Sequence, residues 1–259
     1  MLNLIKQLIN SVLRVFGYKI KLLNINYLQD LTVNHALHEA RSTILAHCPH
    51  PQYVESYHQH EVGAWGPIPA LLYAQKPREL STLKVLDIGC AFGTLLAYCS
   101  NLGFKTYGID FVPQDLYLGI SIRDKYQIDY FQLNVEKDSF PFADGEMDIV
   151  VMTEVLEHLH FQPLDVLNKI GRVLKRGGLF LLTTPALGRT WPPAHYACPF
   201  EAIPSYSDPY YEFTDKHMKI YAKEELLRLL MKAGFDPYVG VHINPSTELE
   251  HLHAVALKV

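Results

Sequence analysis

Two acids and two glycines in the middle of the chain have the spacing of a site that holds a nucleoside. Asp87 and Gly89 end an apolar run, Gly93 follows shortly after, and Asp110 ends the next apolar run. A turn of small residues lets a ligand approach the backbone closely. An acid about 20 residues further on can accept hydrogen bonds from both hydroxyls of a ribose. The pattern predicts a nucleoside beside the turn, with its ribose on Asp110.

A strand, a turn and a helix must position these residues. The apolar residues Val85, Leu86 and Ile88 predict a buried strand. Residues 89–93 predict the turn, and residues 94–99 the start of a helix. At the carboxyl end of a parallel sheet, this order points backbone N–H groups and a helix N-terminus at the ligand. A dinucleotide fingerprint spaces its glycines as G-x-G-x-x-G, and this turn reads G-x-x-x-G. We therefore rank a dinucleotide oxidoreductase last among the enzyme classes considered.

The sequence D-x-G-x-A-x-G at 87–93, followed by Asp110, resembles the cofactor site of the class I S-adenosylmethionine (SAM) methyltransferases. Ala91 stands where the family usually has a glycine. The resemblance runs from about residue 83 to the C-terminus. It implies SAM as the cofactor and a Rossmann-like α/β fold, with a seven-stranded, mostly parallel sheet, helices on both faces and an N-terminal helical extension.

The resemblance also implies a set of cofactor-binding residues. Asn134 stands where the family commonly has an acid that binds the adenine amino group, and its amide oxygen can accept that bond. The full set is Asp87, Gly89, Cys90, Ala91, Gly93, Asp110, Phe111, Asn134, Val135, Thr153 and Glu154.

The segment 153–159 resembles the part of the family that lines the pocket near the methyl group. An oxygen or nitrogen acceptor must be unprotonated when it attacks the methyl group, so it can need a base. His158 is the first candidate because an ordinary histidine pKa near 6.5 suits proton transfer at neutral pH. His217 and His195 are weaker candidates. A histidine that only braces the pocket is the competing interpretation.

A metal-assisted mechanism stays open as an alternative to the primary, metal-free interpretation. Glu154 and His158 are four residues apart and would share one face of a helix. With Glu157 and His217 they could bind a divalent ion that orients a hydroxyl acceptor. Acids are also favoured at helix N-termini without any metal.

Composition limits the class of protein and its partners. The 259 residues are 49% hydrophobic and 19% charged, with a net charge of −4, which favours a well-filled core and argues against nucleic acid as the partner. The cysteines, Cys48, Cys90, Cys99 and Cys198, lack metal-ligand spacing. Free thiols are typical of a cytoplasmic protein, and we expect that location.

The predicted domain, residues 80–259, follows a helical extension, residues 1–79, that covers the substrate site. Residues 1–16 predict a basic amphipathic helix that either packs on protein or contacts a membrane surface. Residues 31–48 predict a further helix, and 48–69 a broken stretch. In that stretch Tyr57, His58 and Trp65 are candidates to face the substrate. Residues 185–221, rich in Pro and Tyr, predict an irregular substrate lid.

We predict methyl transfer from SAM to an oxygen, with nitrogen as the second choice. The acceptor classes are a small molecule, a glycan or a lipid-linked precursor. The alternatives are a metal-assisted hydroxyl methyltransferase and a SAM-binding scaffold without turnover. The oligomeric state is left open.

Overall fold

A seven-stranded sheet with the order β3-β2-β1-β4-β5-β7-β6 carries the fold. The computed structural model describes residues 31–48, 51–75, 83–113, 116–188, 194–207 and 210–259. Only β7 runs antiparallel to its neighbours, β5 and β6, and the other pairings are parallel. The strands β1 to β7 are Lys84–Ile88, Lys105–Asp110, Asp129–Gln132, Met147–Thr153, Leu174–Pro185, Phe235–Ile243 and Glu250–Lys258. The predicted fold class is confirmed.

Helices cover both faces of this sheet. Because successive strand residues point to opposite faces, Leu86 and Ile88 pack with α6 and α7, while Val85 packs with α1 to α5. The helices α1 to α7 are Leu31–His47, Pro51–Trp65, Ile68–Ala74, Thr94–Asn101, Ile120–Tyr126, Pro163–Val173 and Lys223–Lys232. Two short 3-10 turns occur at Leu156–His158 and Phe200–Ala202.

The prediction of a broken stretch over residues 48–69 is wrong. Helices α2 and α3 occupy most of it. The buried face of α2 is formed by Val54, His58, Glu61 and Trp65, which follow helical spacing. Two of these four side chains are polar, so hydrophobicity alone does not show the amphipathic pattern.

Residues 116–119, which precede the next helix, are not helical. Helix α5 begins only at Ile120, with Gly119 at its N-cap. Before it, Leu118 is fully buried and the Tyr117 ring packs 4.6 Å from that of Phe92. These contacts hold the residues before α5 in an irregular path against the turn that follows β1.

Where the structure describes it, the insertion at 185–221 is irregular apart from the 3-10 turn Phe200–Ala202 and the short bridge of Ala186 with Tyr221. Tyr196 N donates to Met218 O (2.7 Å) within the insertion, and Met218 N donates to Glu157 O (2.7 Å), which ties the insertion to the 3-10 turn Leu156–His158. Residues 189–193 and 208–209 of the insertion lie outside the described residues. The substrate lid stays a prediction.

The predicted membrane contact falls on residues 1–16, which also lie outside the described residues, as does the domain boundary at 79–80. Among the described helices, none is both long and apolar enough to cross a bilayer. None of the four cysteines, all of which lie within the described residues, forms a disulfide bond.

Candidate active site

Two glycines shape the turn after β1. Gly89 has φ +74°, and a Cβ there would lie 2.3 Å from Cγ2 of Val155. Gly93 has φ +72°, and a Cβ there would lie 2.4 Å from Cδ1 of Leu118. A side chain at either position would be strained and would collide, so the turn requires glycine at both.

Asp110 faces this turn from the end of β2. Its two carboxylate oxygens accept hydrogen bonds from Ala91 N (2.9 Å) and Val112 N (3.1 Å). Burial raises the pKa of Asp110, and these backbone N–H groups oppose that rise. Each oxygen keeps lone-pair capacity, so the carboxylate is fixed in place and can still accept two hydroxyls.

A cavity of about 390 Å³ lies at the carboxyl ends of β1 to β4. Part of the predicted cofactor set lines it: Gly89, Ala91, Asp110, Phe111, Asn134, Val135, Thr153 and Glu154. Asp87, Cys90 and Gly93 do not line it. Asp87 is 3% exposed beneath the turn, and burial raises its pKa and that of the Cys90 thiol. Direct contact of these three with a cofactor stays a prediction.

Asn134 uses its amide oxygen within its own turn. The Oδ1 atom accepts hydrogen bonds from Glu136 N (2.8 Å) and Lys137 N (3.3 Å). This is the atom that we assigned to the adenine amino group. Asn134 and Val135 line the cavity after β3, and their contact with adenine stays a prediction.

Glu157, His158 and His217 form a cluster at the other end of the cavity. One ligand-capable atom of each lies within 4.8 Å of those of the other two. His158 Nδ1 lies 3.1 Å from Lys216 O and 3.2 Å from Asp215 Oδ1. Glu157 is 1% exposed and accepts a hydrogen bond from Thr184 Oγ1 (2.9 Å). Burial is the main cause that raises its pKa to about 8.

The helix proposed for Glu154, Glu157 and His158 is wrong. Only Leu156–His158 forms a 3-10 turn, and Glu154 has the left-handed φ of +52°. Glu154 instead lies with an oxygen 3.0 Å from Nδ1 of His251 on β7. Burial raises the pKa of Glu154 and lowers that of His251, so both partners tend toward their neutral forms. His195 is exposed on the insertion and does not line the cavity.

Comparison with known proteins identifies the family. A family model described as a methyltransferase domain matches residues 57–238, which is more than half of the chain. The chain belongs to this methyltransferase family. It is a SAM-dependent methyltransferase of the class I, Rossmann-like type.

The curated relatives of this methyltransferase include ubiquinone biosynthesis O-methyltransferases. The one from Nitrosococcus oceani is 29% identical over 188 residues, which cover 69% of this chain and 75% of the relative. The one from Escherichia coli is 31% identical over 121 residues, which cover 46% of this chain and 50% of that relative.

A solved structure with the same fold is the Burkholderia thailandensis 1,6-didemethyltoxoflavin-N1-methyltransferase with bound 1,6-didemethyltoxoflavin and S-adenosylhomocysteine. Its TM-score is 0.56 at 20% identity, covering 86% of this chain and 90% of that chain. At this identity the likeness shows the fold alone.

The site fits SAM. The small residues Gly89 and Ala91 of the turn line the cavity, and Asp110 presents a fixed carboxylate to it. In this methyltransferase these residues would hold the nucleoside part. When bound, SAM supplies the electrophilic methyl group, and the protein holds donor and acceptor in line for displacement.

Several cavity residues of the methyltransferase were not predicted. They are His60, Glu61, Ala64, Asn244, Thr247, Leu249, His251 and Phe213. Tyr57 and Trp65, two of the aromatic candidates, do line the cavity, while His58 is fully buried behind it. His60, Glu61 and Ala64 come from α2, where helical spacing counted from Trp65 would have placed Glu61 on the buried face. The residues after β6 carry no local pattern, because only the tertiary fold brings them to the site.

Proposed function

We propose that the protein methylates an oxygen of a small-molecule acceptor, with His158 as the base that takes the acceptor's proton. The O-methyltransferase relatives support the oxygen acceptor. A cavity of about 390 Å³, shared with SAM, supports an acceptor of modest size.

The orientation of the His158 ring carries this proposal. A backbone carbonyl can only accept, so contact with Lys216 O puts the proton on Nδ1. Nε2 then keeps its lone pair. Its nearest acid oxygen, Oε1 of Glu157, lies 3.7 Å away, beyond hydrogen-bond distance. Asp215 beside Nδ1 would stabilise the imidazolium that forms when Nε2 accepts a proton.

A metal-assisted hydroxyl methyltransferase is the second candidate. The cluster of Glu157, His158 and His217 favours it, because the ligand atoms already converge. A divalent ion would also compensate the buried Glu157 carboxylate. In that mechanism the three side chains would hold the ion, which would orient the acceptor hydroxyl and favour its ionised form.

Formation of S-adenosylhomocysteine with panels of phenols, catechols and matched amines tests the acceptor atom. We expect turnover with hydroxyl acceptors. His158→Ala should lower kcat by about 100-fold or more, since a positioned base contributes that much. The affinity for S-adenosylhomocysteine should stay within about twofold. His195→Ala, on the exposed insertion, is the matched control and should leave kcat unchanged.

The same assay separates the two mechanisms. Loss of turnover with EDTA, restored by a divalent cation, would favour the metal-assisted reaction. Activity of His158→Ala within threefold of wild type would refute His158 as the base. Turnover with amines alone would refute the oxygen acceptor.

A further inference from the structure

Helix α2 brings a buried carboxylate, Glu61, to the cavity. Its side chain is 9% exposed, and Oε2 is out of contact with solvent and has no hydrogen-bond partner among the described residues. The nearest basic atom, Nε2 of His58, lies 3.7 Å away and bonds instead to Thr94 Oγ1 (2.7 Å). A buried, unpaired carboxylate oxygen in a ligand cavity indicates a missing donor or cation.

A second buried acid reinforces this site. Asp87, beneath the Gly89 turn, is 3% exposed, and its Oδ1 also lacks a hydrogen-bond partner in the described structure. Burial raises the pKa of Glu61, and the Asp87 carboxylate raises it further, while Arg41 on α1 opposes the rise. One arginine does not balance two buried acids. Both acids therefore tend toward their protonated forms, and a cationic ligand group would favour an ionised carboxylate at this site.

The order of the strands indicates which part of SAM reaches this site. Asn134 and Val135 follow β3, Asp110 ends β2 and Gly89 follows β1, and these strands are neighbours in that order. With the ribose on Asp110 and the adenine toward β3, the methionine part must extend over the Gly89 turn toward β4. Glu61 lines the cavity there, and its ionisation is sensitive to the charge of Asp87 below that turn.

We propose that Glu61 binds the α-ammonium group of the methionine part of SAM, supported by the buried Asp87 carboxyl group beneath the turn. The helical extension thus contributes to the cofactor site. This inference rests on the SAM assignment and is independent of the acceptor.

Contacts of α2 with the turn region hold Glu61 in position. The bond from His58 to Thr94 ties α2 to the first residue of α4. The Tyr57 ring packs edge-on against Phe92, with centroids 5.3 Å apart. Both contacts lie one helical turn before Glu61, on the same side of the helix, and hold the carboxylate in position before a ligand binds.

Calorimetric titration with two ligands tests this assignment. S-adenosylhomocysteine carries the α-ammonium group, and 5′-methylthioadenosine lacks the whole amino-acid part. Glu61→Gln should weaken the binding of S-adenosylhomocysteine by about 10- to 100-fold, which is the range for the loss of a hydrogen bond to a charged group. Binding of 5′-methylthioadenosine should change less than twofold. Glu55→Gln, at an exposed position of the same helix, should change neither affinity.

Proton release gives a second readout. Wild-type titrations in buffers of different ionisation enthalpy should show protons released when S-adenosylhomocysteine binds, because the ammonium group favours ionised Glu61. Glu61→Gln should reduce that release.

Three results would overturn the proposal. An unchanged affinity of Glu61→Gln for S-adenosylhomocysteine would remove Glu61 from the cofactor site. Equal losses for both ligands would mean that Glu61 only supports the cavity. No binding of S-adenosylhomocysteine by the wild type would overturn the SAM assignment and this proposal together.

Discussion

Gly89 is subject to two constraints, a left-handed backbone and a close side-chain contact, which a comparison with Gly103 separates. Its backbone is left-handed, and its Cα faces the Val155 side chain, which precedes the 3-10 turn with His158. Gly103 is also left-handed, with φ +91°, but nothing lies within 4 Å of the place a Cβ would take. The two glycines therefore share the backbone cost of substitution and differ in the steric cost.

Gly89→Ala should lower the free energy of unfolding by about 2–4 kcal/mol, since it adds a collision to the left-handed strain. Gly103→Ala should cost only about 1 kcal/mol. Urea denaturation measures both. Adding Val155→Ala to Gly89→Ala should recover part of the loss, because it removes the colliding Cγ2 atom. Equal losses for the two glycine variants would show that the contact with Val155 is not tight.

At the scale of elements, the core was predictable and α2 was not. Strands such as β1 and β4 are nearly continuous apolar runs because both their faces are buried, and that signal is local. Helix α2 buries His58 and Glu61, which serve the site as well as the packing. A helix whose inner face is polar for function loses the periodicity by which sequence predicts it.

Helix α2 is held on the sheet by side chains of β6 and the loop after it. Asn244, 1% exposed, donates from Nδ2 to His60 O (3.0 Å) and accepts at Oδ1 from Ser246 N (2.9 Å). His242 Nε2 lies 3.0 Å from Ala64 O. These bonds fix the helix that carries Glu61.

Asn244→Asp should loosen α2 selectively. The substitution keeps the acceptor for Ser246 N but places a carboxylate oxygen against His60 O, so we expect a loss of about 1–3 kcal/mol in stability. Hydrogen exchange followed by mass spectrometry should show faster exchange in α2 and unchanged exchange in β1 and β4. Asn168→Asp, at an exposed position of α6, should leave both regions unchanged. Equally faster exchange across the whole sheet would contradict a selective role.

At the scale of the whole molecule, buried acids and buried histidines give stability opposite dependences on pH. Burial lowers the pKa of His58, His242 and His253 to about 4. Below pH 6.5 the unfolded chain binds protons that these folded side chains do not, so stability falls as pH falls toward 4. Burial raises the pKa of Glu157 to about 8, so the folded protein keeps a proton that the unfolded chain releases above about pH 4.5. Glu157 therefore lowers stability as pH rises toward 8.

The buried histidines and the buried Glu157 together should give the cofactor-free protein a maximum of thermal stability near pH 6. Each group changes the free energy of unfolding by at most about 1.4 kcal/mol per pH unit. Up to pH 6.5 the histidines and the acid have opposite effects, and above pH 6.5 only the effect of the acid remains. Glu157→Gln keeps an acceptor for Thr184 Oγ1 and removes the ionisable group. Between pH 6 and pH 8, the free energy of unfolding of this variant should increase by about 1–2 kcal/mol relative to that of the wild type. Melting curves at half-unit pH steps, with the exposed Glu212→Gln as control, measure this gain. A wild-type melting temperature that rises from pH 6 to pH 8 would mean that Glu157 is ionised in the folded protein, as expected when a neighbouring cation compensates its charge.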